Sequence, residues 1–154
     1  MIETIGMKGL IHFEVRDAEG HIKEERDIDN LITNVGFAEV AALIGAVAGG
    51  AAFDYIAIGT GAVAADVTDT TLNAEISTNG GSRAASSNSQ VTTTVTDDTM
   101  QAEVTYNFTG TLAIVESGLF NAASAGDMLS RQVFSVINVA NGDSLTVTWK
   151  IKVS

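Results

Sequence analysis

Apolar and polar residues alternate with period two over three long stretches, the spacing that sends successive side chains to opposite faces of an extended strand. At the C-terminus Leu145, Val147, Trp149, Ile151 and Val153 alternate with Thr146, Thr148, Lys150 and Lys152. Met100, Ala102, Val104, Tyr106 and Phe108 alternate with Gln101, Glu103, Thr105 and Asn107, and Met7, Gly9, Ile11, Phe13 and Val15 stand opposite Lys8, Leu10, His12, Glu14 and Arg16. Each pattern predicts a strand with one dry and one wet face, the signature of antiparallel sheets covered on one side. Weaker patterns predict strands at His21 to Asp27, Phe53 to Ile58, Gln90 to Thr96, Thr111 to Glu116 and Met128 to Ile137. Asp17-Ala18-Glu19-Gly20, Ser124-Ala125-Gly126-Asp127 and Asn141-Gly142-Asp143 supply the Asx and Gly residues of tight reversals and predict hairpins.

One segment follows a helical period. Between Asn34 and Val47 the residues Phe37, Val40, Ala41, Ile44 and Val47 line one helical face, with Thr33 or Asn34 as N-cap and Gly49-Gly50 as terminator. Gly36 and Gly45 each cost about 1 kcal/mol in such a helix, so it should depend on docking against the sheets. About eight strands and one short amphipathic helix, without β-α-β alternation, predict a single antiparallel β-sandwich or jelly-roll-like domain over residues 1–154, its helix covering an open end of the core. Trp149 belongs to the inner face of that core. From Ser77 to Ser89 no large apolar residue occurs, which predicts a long polar surface loop, held by packing on another chain.

Composition narrows the functional classes. A chain of 154 residues and 16.0 kDa buries enough surface for a core without staples. Cysteine and proline are both absent, which excludes disulfides, thiolate metal sites and a cysteine nucleophile. The formal net charge of −11 would repel phosphates, so neither nucleic acid nor an anionic membrane is an expected partner. No apolar run reaches the roughly 18 residues of a membrane span, and the first residues, Met1-Ile-Glu-Thr-Ile-Gly-Met-Lys8, do not read as a targeting signal, so synthesis in a cytoplasm is expected.

The chemistry-bearing motifs are sparse. Gly59-Thr60-Gly61-Ala62-Val63-Ala64 matches a dinucleotide fingerprint in form, but Ala65 to Thr71 reads as a loop where that fingerprint needs a helix. It is read as a glycine-supported turn. Asp27-Ile28-Asp29-Asn30 and Asp97-Asp98 lack the spacing of a calcium loop and read as solvated turns. His12 and His21 fall on one hairpin without an evident third ligand and read as surface residues. No G-x-S-x-G elbow accompanies the scattered serines. Glu116, between apolar residues, reads as a buried, hydrogen-bonded structural acid. The expected catalytic, cofactor and metal sites are therefore none.

Three blocks nonetheless resemble a known group. Asn30-Leu31-Ile32-Thr33-Asn34-Val35-Gly36 forms the first, and Tyr55 to Gly61 with Thr71-Leu72-Asn73-Ala74-Glu75 the second. Glu116 to Phe120, Met128 to Ser135 and Gly142 to Trp149 form the third, and together they resemble small β-rich virion proteins of tailed bacteriophages. Relatives in that group carry an Arg soon after the Glu equivalent to Glu75, where this chain has Ile76-Ser77-Thr78. The resemblance implies a non-enzymatic structural protein, first a capsid decoration (cement) protein on the outer surface of the shell. Its partners would be the major capsid protein and further copies of itself, a trimer above a dimer. A tail or tail-fibre accessory module that binds host surface is the alternative, and a carbohydrate-binding or hydrolytic β-sandwich a third reading.

Overall fold

The computed structural model describes residues 6–47 and 50–153. Its strands are β1 (Met7–Arg16), β2 (Ile22–Ile32), β3 (Tyr55–Gly59), β4 (Ala84–Ala85), β5 (Ser87–Val91), β6 (Thr99–Asn107), β7 (Leu112–Phe120), β8 (Met128–Val139) and β9 (Ser144–Val153), with one helix, α1 (Asn34–Gly45), after β2. All pairings are antiparallel, in the order β4-β3-β7-β8-β2-β1-β9-β6-β5. The long strand β2 belongs to both layers: its first part pairs with β1, and its last residues, Leu31 and Ile32, pair with Arg131 and Ser130 of β8. One layer is β2-β1-β9-β6-β5 and the other β2-β8-β7-β3-β4. The terminal strands β4 and β5 are joined through Ser86, whose N–H donates to Asp54 O at 2.7 Å. The sheet is thus nearly closed on itself, which leaves little open edge for unwanted pairing.

The inner faces meet in one main core. Ile11, Phe13 and Val15 of β1, Val104 and Tyr106 of β6, and Leu145, Val147, Trp149 and Ile151 of β9 pack against Ile56 and Ile58 of β3, Ile114 and Leu119 of β7 and Ile137 of β8. Trp149 is fully buried, and its Nε1–H donates to Ser117 Oγ at 3.2 Å across the layers. Tyr106 Oη donates to Ile56 O at 2.6 Å, and burial raises its phenol pKa. These two aromatics tie the layers together as their positions on the predicted inner faces require.

Several elements depart from expectation. The stretch Ser77 to Ser89 is not a free polar loop: Ala84–Ala85 pairs with β3, Ser87–Val91 pairs with β6, and Gly81 is buried. Backbone hydrogen bonds recruit it, so its lack of large side chains did not reveal it. It packs on its own domain. Strand β2 runs on through Asp27-Ile28-Asp29-Asn30, which is therefore strand rather than turn, and β7 continues through Ser117 to Phe120. Asn141-Gly142-Asp143 turns the chain from β8 to β9, strands that lie in different layers, so it is a crossover and not a hairpin.

Helix α1 is capped by Thr33, whose Oγ1 accepts from Gly36 N–H at 2.9 Å. Its C-cap is left-handed Ala46 (φ 49°), while the expected terminator Gly49 lies outside the described residues. The expected apolar face is only partly used. Val40 packs on the core, but Phe37, Ile44 and Val47 are 49, 84 and 62 % exposed. The reason is Gly36: it lies against Leu129 O so closely that a Cβ would collide, so α1 meets β8 through backbone and is held off elsewhere.

Candidate functional site

The polar chemistry of the molecule concentrates on the outer face of β7 and β8. Glu116 sits on β7 beside a register shift, fully buried beneath the segment that follows β3. Its Oε1 accepts from Gly61 N–H at 3.0 Å and Ala74 N–H at 2.7 Å, and its Oε2 from Asn73 N–H at 3.0 Å. Arg131, on β8 and 2 % exposed, closes the set: Nε and Nη2 both donate to Glu116 Oε2, at 3.0 and 2.8 Å, a charge-assisted contact on one carboxylate oxygen. Its remaining donors reach Asp69 Oδ2 at 2.7 Å and Val63 O at 2.9 Å. Every polar contact holds one stretch of chain, residues 60–76, flat against the sheet.

The glycines of the fingerprint-like stretch belong to this clamp. A Cβ on Gly61 would stand 2.5 Å from Asn73 Cβ and 2.6 Å from Glu116 Oε1, and one on Gly59 would strike the same carboxylate. No helix opens after them among the described residues, and they face a carboxylate. A pyrophosphate would meet repulsion there instead of amide donors. The stretch leaves β3 as irregular chain, and its glycines serve close packing on Glu116 and Asn73. Leu72, Phe120, Met128 and Ala57 make a second, small core under the same cover. Arg83 lies over the Phe120 ring at 3.7 Å and pairs with Glu75 at 2.6 and 2.9 Å, so Glu75 takes its arginine from eight residues downstream.

The other carboxylates hold turns or hairpin strands. Asp98 accepts from the N–H groups of Thr93, Thr94 and Val95 at 2.8, 3.0 and 3.0 Å, bonds that hold its pKa well below the usual carboxylate range. Asp17 accepts from His21 N–H at 2.8 Å and is lowered for the same reason. Asp143 is lowered chiefly by Lys23, whose Nζ lies 2.6 Å away. The hairpin keeps the two histidines apart. His12 stands between Asp27 (2.7 Å) and Glu25 (3.3 Å), whereas His21 contacts Asp17 (3.2 Å). Each thereby gains the nearby carboxylates that the sequence did not reveal, His12 with Glu14 and Glu25, His21 with Asp17 and Glu19. Strand pairing brings Glu25 and Asp27 to His12, whereas Asp17 and Glu19 come to His21 from its own turn.

The end of the sandwich near α1 presents several exposed apolar side chains. Phe37, Leu43, Ile44 and Val47 are 41 % exposed or more. Beneath them an apolar cavity of about 290 Å³ is lined by Val40, Leu43, Phe53, Met100, Leu129 and Ile151. Comparison with family models, curated proteins and solved structures yielded no match.

Proposed function

We propose that the chain is a non-enzymatic virion structural protein of a tailed bacteriophage, a capsid decoration protein that docks on the major capsid protein through its α1 end. The observation that carries this reading is the apolar face of α1, left bare on a domain whose buried charged groups are occupied with holding its own chain. A hydrolase or transferase would need a nucleophile or paired acid and base opening on a cleft. Here Glu116 is fully buried and Arg131, at the base of a polar groove of about 300 Å³, is only 2 % exposed, with their donors and acceptors spent on backbone, on Asp69 and on each other. The sequence resemblance adds support. Two of its blocks supply Gly61, Asn73, Ala74, Glu116 and Arg131, and the first ends in the Thr33 cap and Gly36 contact of α1. A charge of −11 favours the outside of a shell over contact with the packaged genome.

Antibody labelling of intact particles from the phage that encodes the chain tests this. Label over the shell is the expected result, and Ile44→Asp should reduce retention on particles without lowering the melting temperature of the free domain. Label confined to the tail would replace the cement role with a tail or fibre module, and absence from the particle would overturn the virion reading altogether.

A further inference from the structure

The outer face of β2-β1-β9-β6 carries a charge pattern that the docking proposal does not use. Of the eight Lys and Arg residues, Arg16, Lys23, Arg26, Arg83 and Arg131 each pair with a carboxylate. Lys8, Lys150 and Lys152 have no carboxylate within 4.0 Å among the described residues. They stand together. Lys8 is directly opposite Lys152, and Lys150 is opposite Leu10 in the next outward row. Asp29 lines the same groove yet reaches none of the three ammonium groups. Like charges facing each other across a strand pair are destabilising, so this arrangement costs the isolated domain free energy.

The same face is acidic at its other end. The next two outward rows hold Asp27, His12, Thr148 and Glu103, then Glu25, Glu14, Thr146 and Thr105. Glu14 is occupied by Arg16, whereas Glu25, Asp27 and Glu103 are exposed and have no Lys or Arg partner among the described residues. The Lys150 row also holds Asp29, Leu10 and Gln101, and Arg16 stands one row beyond Glu14, so the unpaired cations gather at one end and most of the carboxylates at the other. A face with cations at one end and carboxylates at the other complements itself when one copy is turned over.

We propose that this face pairs with the same face of a second copy about a two-fold axis lying across the strands, between the Lys150 row and the His12 row. That operation sets Lys150 over the row of Asp27 and Glu103, and sets Lys8 and Lys152 over the row of Glu25, in both directions at once. Four strands about 4.8 Å apart and ten residues at about 3.3 Å each offer roughly 600 Å² per copy, the lower end of what a specific pair requires. The contact is a dimer contact, in place of the trimer that assembly logic alone suggests, and it is expected whether or not the chain resides in a particle.

Sedimentation equilibrium of the full chain tests it. At about 0.1 M salt, where the Debye length is about 10 Å, the wild type should dimerise, and at about 1 M the association should weaken by about tenfold or more. Lys150→Glu with Lys152→Glu should be monomeric, as should Glu25→Lys with Asp27→Lys. An equimolar mixture of those two double variants should form a heterodimer, because each now carries the charge that the other lacks. A monomeric wild type, a dimer indifferent to salt and to both variants, a mixture that stays monomeric, or a charge-dependent trimer would each overturn the two-fold pairing.

Discussion

The two outer faces of this sandwich solve the same problem differently. Residues 60–76 lie over β7 and β8, and the buried charges there are matched on the spot, Glu116 by Arg131 and Arg131 also by Asp69, while Arg83 pairs with Glu75. The outer face of β1, β9 and β6 has no such cover; its unpaired lysines lie toward one end, and Glu14 and Glu103 toward the other. Burial explains the contrast. A charge taken out of water must be paired at once, whereas an exposed one is screened and can wait for a partner from outside. Charged groups on the covered face are therefore structural, and those on the bare face are available for binding.

Breaking the covered face should have the largest effect. Arg131→Met leaves the Glu116 carboxylate buried without its counter-charge, and the loss of stability in urea titration should be about 3–5 kcal/mol. Next comes Gly61→Ala, which must displace Asn73 and the Glu116 carboxylate and should cost about 1–3 kcal/mol while leaving the fold intact.

How far the sequence revealed these faces follows from the same contrast. Strands β1, β6 and β9 were legible because one side is dry and the other wet, so their residues alternate. The second half of β7 was not, because Ser117 to Phe120 is buried on both sides and shows no alternation. Glu116 was legible as an acid among apolar neighbours. Arg131, in Ser130-Arg131-Gln132, looked like any polar strand residue, and only its parity with the buried residues of β8 could have marked it. The cover itself, rich in Ala and Thr, anchors its apolar side chains at Leu72 and Ile76; hydrogen bonds hold the rest and leave no periodic trace. The helix was legible in position but not in orientation, since the Gly36 contact with Leu129 depends on the partner strand.

Acid should sharpen the comparison at intermediate size. The folded pKa of Asp143 is depressed below the ordinary value of about 3.9, so its pairing with Lys23 stabilises the fold above that value and is lost as pH falls through the folded one. Melting followed from pH 5 down to pH 2 should fall steeply, and Asp143→Asn should start lower and fall less. The smallest effect belongs to the bare face. Lys152→Thr removes one of two facing cations and should raise the stability of the dilute monomer by about 0.2–0.5 kcal/mol, read from the urea midpoint.

Glu116 and Arg131 act as a clamp that holds the chain's own cover in place. Hydrogen exchange at the amides of Gly61, Asn73 and Ala74, the three that donate to Glu116, tests it most directly. In the wild type these amides should exchange only through near-global opening, and in Arg131→Met they should exchange far faster than amides in the centre of β9. Rapid exchange at all three in the wild type would show that residues 60–76 open freely over Glu116 and Arg131, and the clamp would have to be given up.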